Sequence, residues 1–255
     1  MVIESHAHLD DRAFDEDREK LLEQIKESGI EYVINISASL ASIETSMELA
    51  KKYDFIYSTA GVHPSETGEL NEENFNRIRE RLKDKKVVAV GEIGLDYYWN
   101  EPEKQIQHKW FRRQLGLARE YRLPVVIHSR DAAADTYRIL EEEKAHELGG
   151  IIHCYSYSRE TARDYLKLGY YFGIGGVITF QNAKKLKEAV EYIPIEQIVL
   201  ETDCPYLSPT PYRGKRNTPL NLPIIADTVA KLKGMDVERV IEITAENTKK
   251  LYRIA

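Results

Sequence analysis

Cysteine is nearly missing from this 255-residue sequence: Cys154 and Cys204 stand far apart and form no CxxC pair. That excludes a disulfide framework and a cysteine-built zinc knuckle, and a reduced, cytoplasmic protein is the simpler reading. Long apolar runs are also missing. The strongest, "PVVIH" and "KKVVAV", have strand length, against the ~20 residues a membrane span requires, so no membrane partner is expected. The N-terminal residues show no basic segment leading into an apolar stretch, and secretion is not expected either. Positive charge is in deficit. With 36 Lys and Arg against 42 Asp and Glu, the net charge is −6, which excludes a broad basic surface that coats nucleic acid. There is no GxGxxG, no GxxxxGK[ST], no low-complexity linker and no second regime of composition.

What is present is a regular alternation. Short β-rich runs occur at 2–6, 31–36, 55–61, 86–92, 124–128, 150–153, 169–174 and 197–202. Amphipathic, charged runs separate them at 15–28, 40–52, 72–83, 103–121, 131–145, 158–167 and 182–192, and two more follow at 220–233 and 236–251. In "REKLLEQIKESG", Leu21, Leu22 and Ile25 make one apolar stripe, and Gly29 stops the helix. Strand–helix alternation implies parallel pairing with right-handed crossovers. Eight such units in this length predict an α/β fold, a (β/α)₈ TIM barrel, with 1–255 as a single domain. An open doubly wound sheet is the runner-up, but the turn after its first strand ordinarily carries a glycine-rich phosphate loop. Here that turn reads "HAHLDD".

Barrel enzymes build their sites at the C-terminal ends of the strands. Strand one ends at His6 and His8, which share a face because residues i and i+2 of a strand do. Strand three runs into His63, strand four ends at Glu92, strand five at His128, strand six at His153 and strand eight at Asp203. His108 and His146 fall in or after helical runs and read as surface residues. Taken singly, a histidine after an apolar run is most often a satisfied core residue, and a carboxylate there is commonly a helix N-cap. Taken together, unpaired polar groups converging on one barrel mouth carry a heavy desolvation cost unless something compensates. Imidazoles and carboxylates are what ions such as Zn²⁺ or Mn²⁺ accept. Six ligands exceed one tetrahedral ion, so two ions with a carboxylate between them are expected.

The second unusual stretch is "CPYLSPTPYRGKRNTPLNLP", 204–223. Its prolines predict an extended loop. Arg213, Lys215 and Arg216 fall within four residues of an otherwise acidic chain, and the loop follows Asp203 directly. A solvated loop with basic residues by chance is the plain reading. Its place at the catalytic face favours a phosphate clamp, with Arg130 serving the same end.

The segments "SHAHLD" (5–10), "GVHP" (61–64), "GEIGLDYY" (91–98), "VIHSRDA" (126–132), "IIHCYS" (151–156), "LETDCPYL" (200–207) and "YRGKRNTP" (212–219) resemble the TatD family of metal-dependent deoxyribonucleases, within the amidohydrolase-like barrels. The resemblance spans essentially the whole chain. It implies that His6, His8, Glu92, His128, His153 and Asp203 are metal ligands, with Glu92 shared between two divalent ions (Zn, Mn or Mg). It also implies that His63 contacts substrate phosphate and that the usual activity is hydrolysis of DNA. Three positions depart from the pattern: Glu4 in place of aspartate before the HxH pair, Ser65 after "GVHP", and Tyr157 where glycine is common. Other branches of these barrels bridge their metals with a carboxylated lysine. Lys85 and Lys86 precede strand four instead of ending it, and Glu92 takes that place.

The expected function is two-metal hydrolysis of a DNA phosphodiester by a bridging water, as an exonuclease on single-stranded or frayed ends. Asp203 is the expected general base. His63 would contact the phosphate and protonate the leaving oxygen, with Arg130, Arg213, Lys215 and Arg216 on neighbouring phosphates. Glu201 reads as a supporting residue facing away from Asp203. Two alternatives stand beside this. One is a metal hydrolase of another bond: an aminoacyl-tRNA ester, a cyclic amide or a small phosphoester. The other is a non-catalytic metal-binding scaffold.

Overall fold

Valine and isoleucine dominate the runs that become strands, and such branched side chains fill a sheet covered on both faces. The computed structural model describes residues 1–99 and 101–254. Its strands are β1 (Val2–Ala7), β2 (Ile30–Asn35), β3 (Ile56–Thr59), β4 (Val87–Asp96), β5 (Val125–Arg130), β6 (Gly150–Ile152), β7 (Tyr171–Ile174) and β8 (Ile198–Leu200). They pair in sequence order, every pair parallel. The ring closes where Ala7 bridges Cys204. Around that seam His8 N–H donates to the Cys204 carbonyl at 2.9 Å, and Asp203 N–H donates to the His6 carbonyl at 3.0 Å. The architecture is the expected (β/α)₈ barrel.

The helices are α1 (Arg18–Glu27), α2 (Leu40–Lys52), α3 (Glu72–Arg81), α4 (Lys104–Tyr121), α5 (Ala133–Glu142), α6 (Arg159–Lys167), α7 (Lys184–Tyr192), α8 (Leu222–Lys233) and α9 (Val237–Tyr252). Their starts follow local chemistry. Ser39 and Ser42 form a capping box at α2, and Asn71 and Asn74 do the same at α3. The Leu21, Leu22 and Ile25 stripe of α1 is buried as expected.

Strand alternation divides the core. Val125, Ile127, Ile152, Ile198 and Leu200 face outward into the layer beneath the helices. Ile34, Val126, Ile151 and Val199 face into the barrel, where Leu251, Tyr252 and Ile254 join them and fill its lower part. Tyr252 donates its hydroxyl to the Ser5 carbonyl at 3.0 Å. Continuing the inward sets by two residues leads from Val126 to His128, from Ile151 to His153, and from Val199 to Glu201 and Asp203. Apolar residues therefore fill the base of the barrel, and polar ones occupy its mouth.

Two strand-end expectations need correction. Glu92 does not end β4. The strand continues to Asp96, with its pairing to β5 shifted between Val90 and Ile93. Glu201 does not face away from the mouth: β8 ends at Leu200 and both residues lie past it, yet the Glu201 carboxylate comes within 3.6 Å of His153 Nδ1 while Asp203 meets His6 and His8.

Candidate metal centre

Six of the singled-out side chains meet at the mouth in two groups. In the first, His6 Nε2 and His8 Nε2 lie 3.2 Å apart. They sit 3.5 and 3.4 Å from Asp203 Oδ1, and 3.4 and 3.8 Å from Glu92 Oε2. In the second, Glu92 Oε1 lies 2.7 Å from His128 Nδ1 and 2.9 Å from His153 Nε2. Those two nitrogens are 3.2 Å apart. One carboxylate thus places an oxygen in each group. Donors about 2.0–2.1 Å from a tetrahedral ion sit roughly 3.4 Å from one another, and both groups have spacings near that.

The outer nitrogens settle which lone pairs point inward. His8 Nδ1 is 2.9 Å from the Ile36 carbonyl, which only accepts, so Nδ1 carries a proton and Nε2 is the nitrogen turned toward the pocket. His128 Nε2 is 3.0 Å from Asp96 Oδ2, which leaves Nδ1 for the pocket. His153 Nδ1 lies 3.6 Å from Glu201 Oε1. An imidazole proton directed at a carbonyl or carboxylate behind the ring is the usual support of a metal-binding histidine. His6 Nδ1, His153 Nδ1 and Glu201 Oε2 are buried without a hydrogen-bond partner. The residues fit a pair of divalent cations: neutral imidazoles and carboxylates, at ligand spacing, in a pocket where the anions alone are costly.

His63 differs. Its Nδ1 accepts the Ser65 backbone N–H at 3.2 Å and lies 2.8 Å from the Ser65 hydroxyl. The neutral ring must then carry its proton on Nε2, which is 3.7 Å from Glu92 Oε1. It offers the pocket a donor. The backbone N–H of residue 65 fixes that tautomer, and the Ser65 hydroxyl, at a departure from the resembled pattern, sits beside the same nitrogen.

Electrostatics follow from burial and neighbours. Burial alone would raise Glu92, but His153, His128 and His6 around it hold its carboxyl well below the carboxylate range. Burial likewise opposes ionisation of Asp203, but the His8 hydrogen bond and the charges of His153, His6 and His8 together outweigh it, so its pKa falls. Burial would lower His8, yet Asp203 and Glu92 raise it to about 9. At His63 burial, with His128 alongside, outweighs Glu92 and Asp96 and pushes it down to about 3. Beneath the pocket, burial pushes Glu4 up to about 8, against hydrogen bonds from Thr202 and the His6 backbone. Both cysteine thiols are raised well above their ordinary value by burial and stay protonated.

The basic residues are not gathered with these donors. Arg130 is exposed and lies over the Tyr98 ring at 3.8 Å. Arg213 lies over the Phe180 ring at 4.5 Å. Arg216 is paired, bidentate to Asp17 at 2.7 and 2.6 Å, with a further bond to the Ala13 carbonyl at 2.7 Å. Lys215 lines a cleft beside Tyr206. His146 is exposed as expected, but His108 is only partly so, with Nε2 2.6 Å from the Tyr97 hydroxyl. Sequence reasoning missed Asp96 altogether and misplaced Glu201. The alternation rule carries the signal for Asp96, four residues after Glu92 on one strand, and Glu201 continues the inward side of Val199 just past the end of β8.

Comparison with known proteins gives a family, named relatives and a shared fold. The family model described as "TatD related DNase" matches residues 3–253. The Bacillus subtilis protein described as "Uncharacterized metal-dependent hydrolase YabD" is 44% identical over 254 residues, covering 100% of both chains. A Rahnella protein described as "3'-5' ssDNA/RNA exonuclease TatD" is 34% identical over 260 residues, covering 100% of this chain and 99% of its own. Among solved structures, the Escherichia coli TatD homologue YjjV superposes with a TM-score of 0.94 at 28% identity, covering 100% of this chain and 98% of its own.

Proposed function

The chain belongs to the TatD-related DNase family of metal-dependent hydrolases, and from that premise we propose that it hydrolyses DNA phosphodiesters, as an exonuclease on single-stranded or frayed ends. The observation that carries this is Glu92, with one oxygen in each of two donor groups at ligand spacing. His6, His8, Glu92 and Asp203 would hold one ion, and Glu92, His128 and His153 the other. Bound there, two divalent ions supply acidification of the attacking water and neutralisation of charge on the phosphate.

The chain's own groups supply the rest. Asp203 is 9% exposed, at the solvent side of the pocket, and its low pKa keeps it ionised at neutral pH. It is placed to accept the proton the water loses. His63 is neutral there and presents Nε2–H, so its part is to donate a hydrogen bond to a phosphate oxygen. An imidazolium that releases a proton to the leaving oxygen does not match its depressed pKa. Arg130, Arg213 and Lys215 would meet flanking phosphates, while Arg216 anchors its loop to Asp17. The exonuclease assignment draws on the Rahnella relative's description, which also names RNA.

The test is hydrolysis of labelled single-stranded DNA and RNA by chelator-treated protein given back Mg²⁺, Mn²⁺ or Zn²⁺. We expect restored cleavage from one end, and a turnover loss of about 10²- to 10⁴-fold for Asp203→Asn with substrate binding retained. Turnover of an aminoacyl-tRNA ester or cyclic amide, with no cleavage of either nucleic acid under any metal, would overturn the proposal.

A further inference from the structure

Large apolar side chains left in solvent are few here and unevenly placed. Of seven among the described residues, five stand on two loops: Tyr98 and Trp99 after β4, and Tyr206, Leu207 and Tyr212 after β8. In a ring of eight strands paired in order, β4 and β8 lie on opposite sides. The two loops therefore flank the donor pocket across the barrel mouth. Single exposed aromatics need no explanation, but a paired concentration about one pocket marks a binding surface.

Both loops are fastened to the pocket. Asp96 directs Oδ2 to His128, while its Oδ1 accepts the backbone N–H of Tyr98 at 2.9 Å and of Trp99 at 3.4 Å. The Tyr98 and Trp99 rings meet edge-on at 5.0 Å, with the Arg130 guanidinium over the Tyr98 ring. Opposite, the Tyr206 ring lies 6.2 Å from the His8 ring, and its hydroxyl donates to Asp11 at 3.0 Å. Tyr206 also borders a cleft of about 440 Å³ that Arg12 and Lys215 line.

We propose, resting on the phosphodiesterase reading above, that Tyr98 with Trp99 and Tyr206 are two stacking shelves for unpaired nucleobases on either side of the scissile phosphate. A single strand crossing the mouth lays one base on each shelf, and Arg130 and Lys215 meet the phosphates between. Every base has a π face, so such shelves grip without regard to sequence, whereas duplex bases are already stacked on each other. The cations beside the rings suit a polyanion. The shelves thus select single-stranded and frayed ends on a protein too acidic to hold duplex DNA by charge alone.

Tryptophan fluorescence gives the test, since Trp99 is 64% exposed and Trp110 only 3%. The full-length protein is titrated with hexathymidylate and with an abasic hexamer carrying the same phosphates, and cleavage is followed in parallel with metal added. We expect Trp99 emission to respond to hexathymidylate and the abasic hexamer to bind about 5- to 150-fold more weakly per base lost. By fluorescence anisotropy of an end-labelled hexamer, which needs no tryptophan, Trp99→Ala and Tyr206→Ala should weaken hexathymidylate by a similar factor and leave the abasic affinity in place, while Trp99→Phe and Tyr206→Phe restore binding. Equal affinity for the two hexamers, or alanine variants that bind hexathymidylate like wild type, overturns the shelves. If the oligonucleotide is still cut, the phosphodiesterase reading survives that result. Base-dependent binding with no cleavage under any metal has the opposite meaning: the shelves stand and the phosphodiesterase reading falls.

Discussion

His128 is held between two carboxylates, with Asp96 behind the ring at 3.0 Å and Glu92 in front at 2.7 Å. The rear bond decides which nitrogen faces the pocket, and such supports typically contribute 10- to 100-fold to metal affinity. Asp96→Asn should therefore weaken metal binding by about that factor, read by competition with a chelating dye. Unchanged affinity would mean that Asp96 serves only the Tyr98 turn. Titration adds a second expectation for the metal-free protein. His8 is raised from 6.5 to about 9. A histidine raised in the folded state contributes stability that is complete below its unfolded value and lost as pH rises through the folded one. Glu4, raised from 4.5 to about 8, also makes the folded state less favourable as pH climbs toward 8. The melting temperature of metal-free protein should then fall between about pH 6.5 and 9. Metal-loaded protein should show less of this, because ligated His8 has no proton to lose, and parallel profiles would remove His8 from the ligand set. The six donors were legible in the sequence because polar residues at the ends of apolar runs stand out. Asp96 was not, since its signal depends on knowing that β4 continues past Glu92.

Among the elements, β4 shows why its length was misread. The segment "GEIGLD" looks like the end of an apolar run, and glycine ordinarily weakens a strand. Here Gly94 has φ +142°, and a Cβ on it would sit 2.0 Å from the His128 carbonyl oxygen. Its lack of a side chain lets β4 and β5 approach closely and carries the strand on to Asp96. The other elements were read to within a few residues, because their apolar periodicity and caps are local properties, whereas close approach between strands is not. β7 has a comparable device. A Cβ on Gly173 would lie 2.1 Å from Glu201 Oε2 and 2.6 Å from its Cδ, so the Glu201 carboxylate occupies the space of the missing side chain. Glu201 has little freedom to retreat, being fully buried with Oε1 accepting the Cys154 N–H at 2.6 Å. Gly173→Ala should cost about 1–3 kcal/mol of stability, the usual penalty of overpacking, seen in denaturant unfolding. It should also lower metal affinity through His153. Wild-type values for both would show that the Glu201 carboxylate is not fixed over Gly173.

For the whole molecule, the governing quantity is a net charge of −6 around a mouth that must admit a polyanion. Attraction has to be local. Among the described residues Arg130, Arg213 and Lys215 have no ion-pair partner, whereas Arg216 is committed to Asp17. Binding that neutralises two or three phosphates of a single strand gives a slope of about −1.4 to −2.1 in log affinity against log salt, at roughly −0.7 per phosphate. The aromatic shelves add a part that salt does not screen, because stacking is not an interaction of net charges. Hexathymidylate affinity should therefore fall by only about 10-fold or somewhat more as monovalent salt rises from roughly 50 to 200 mM. Lys215→Ala should make the slope shallower by about 0.7, and Arg216→Ala should leave it nearly unchanged. A slope as steep as about −3.5 would require all five phosphates of the hexamer to be neutralised at once. An acidic surface with a few unpaired cations at its mouth does not provide that, and such a result would replace the short footprint with a continuous basic track.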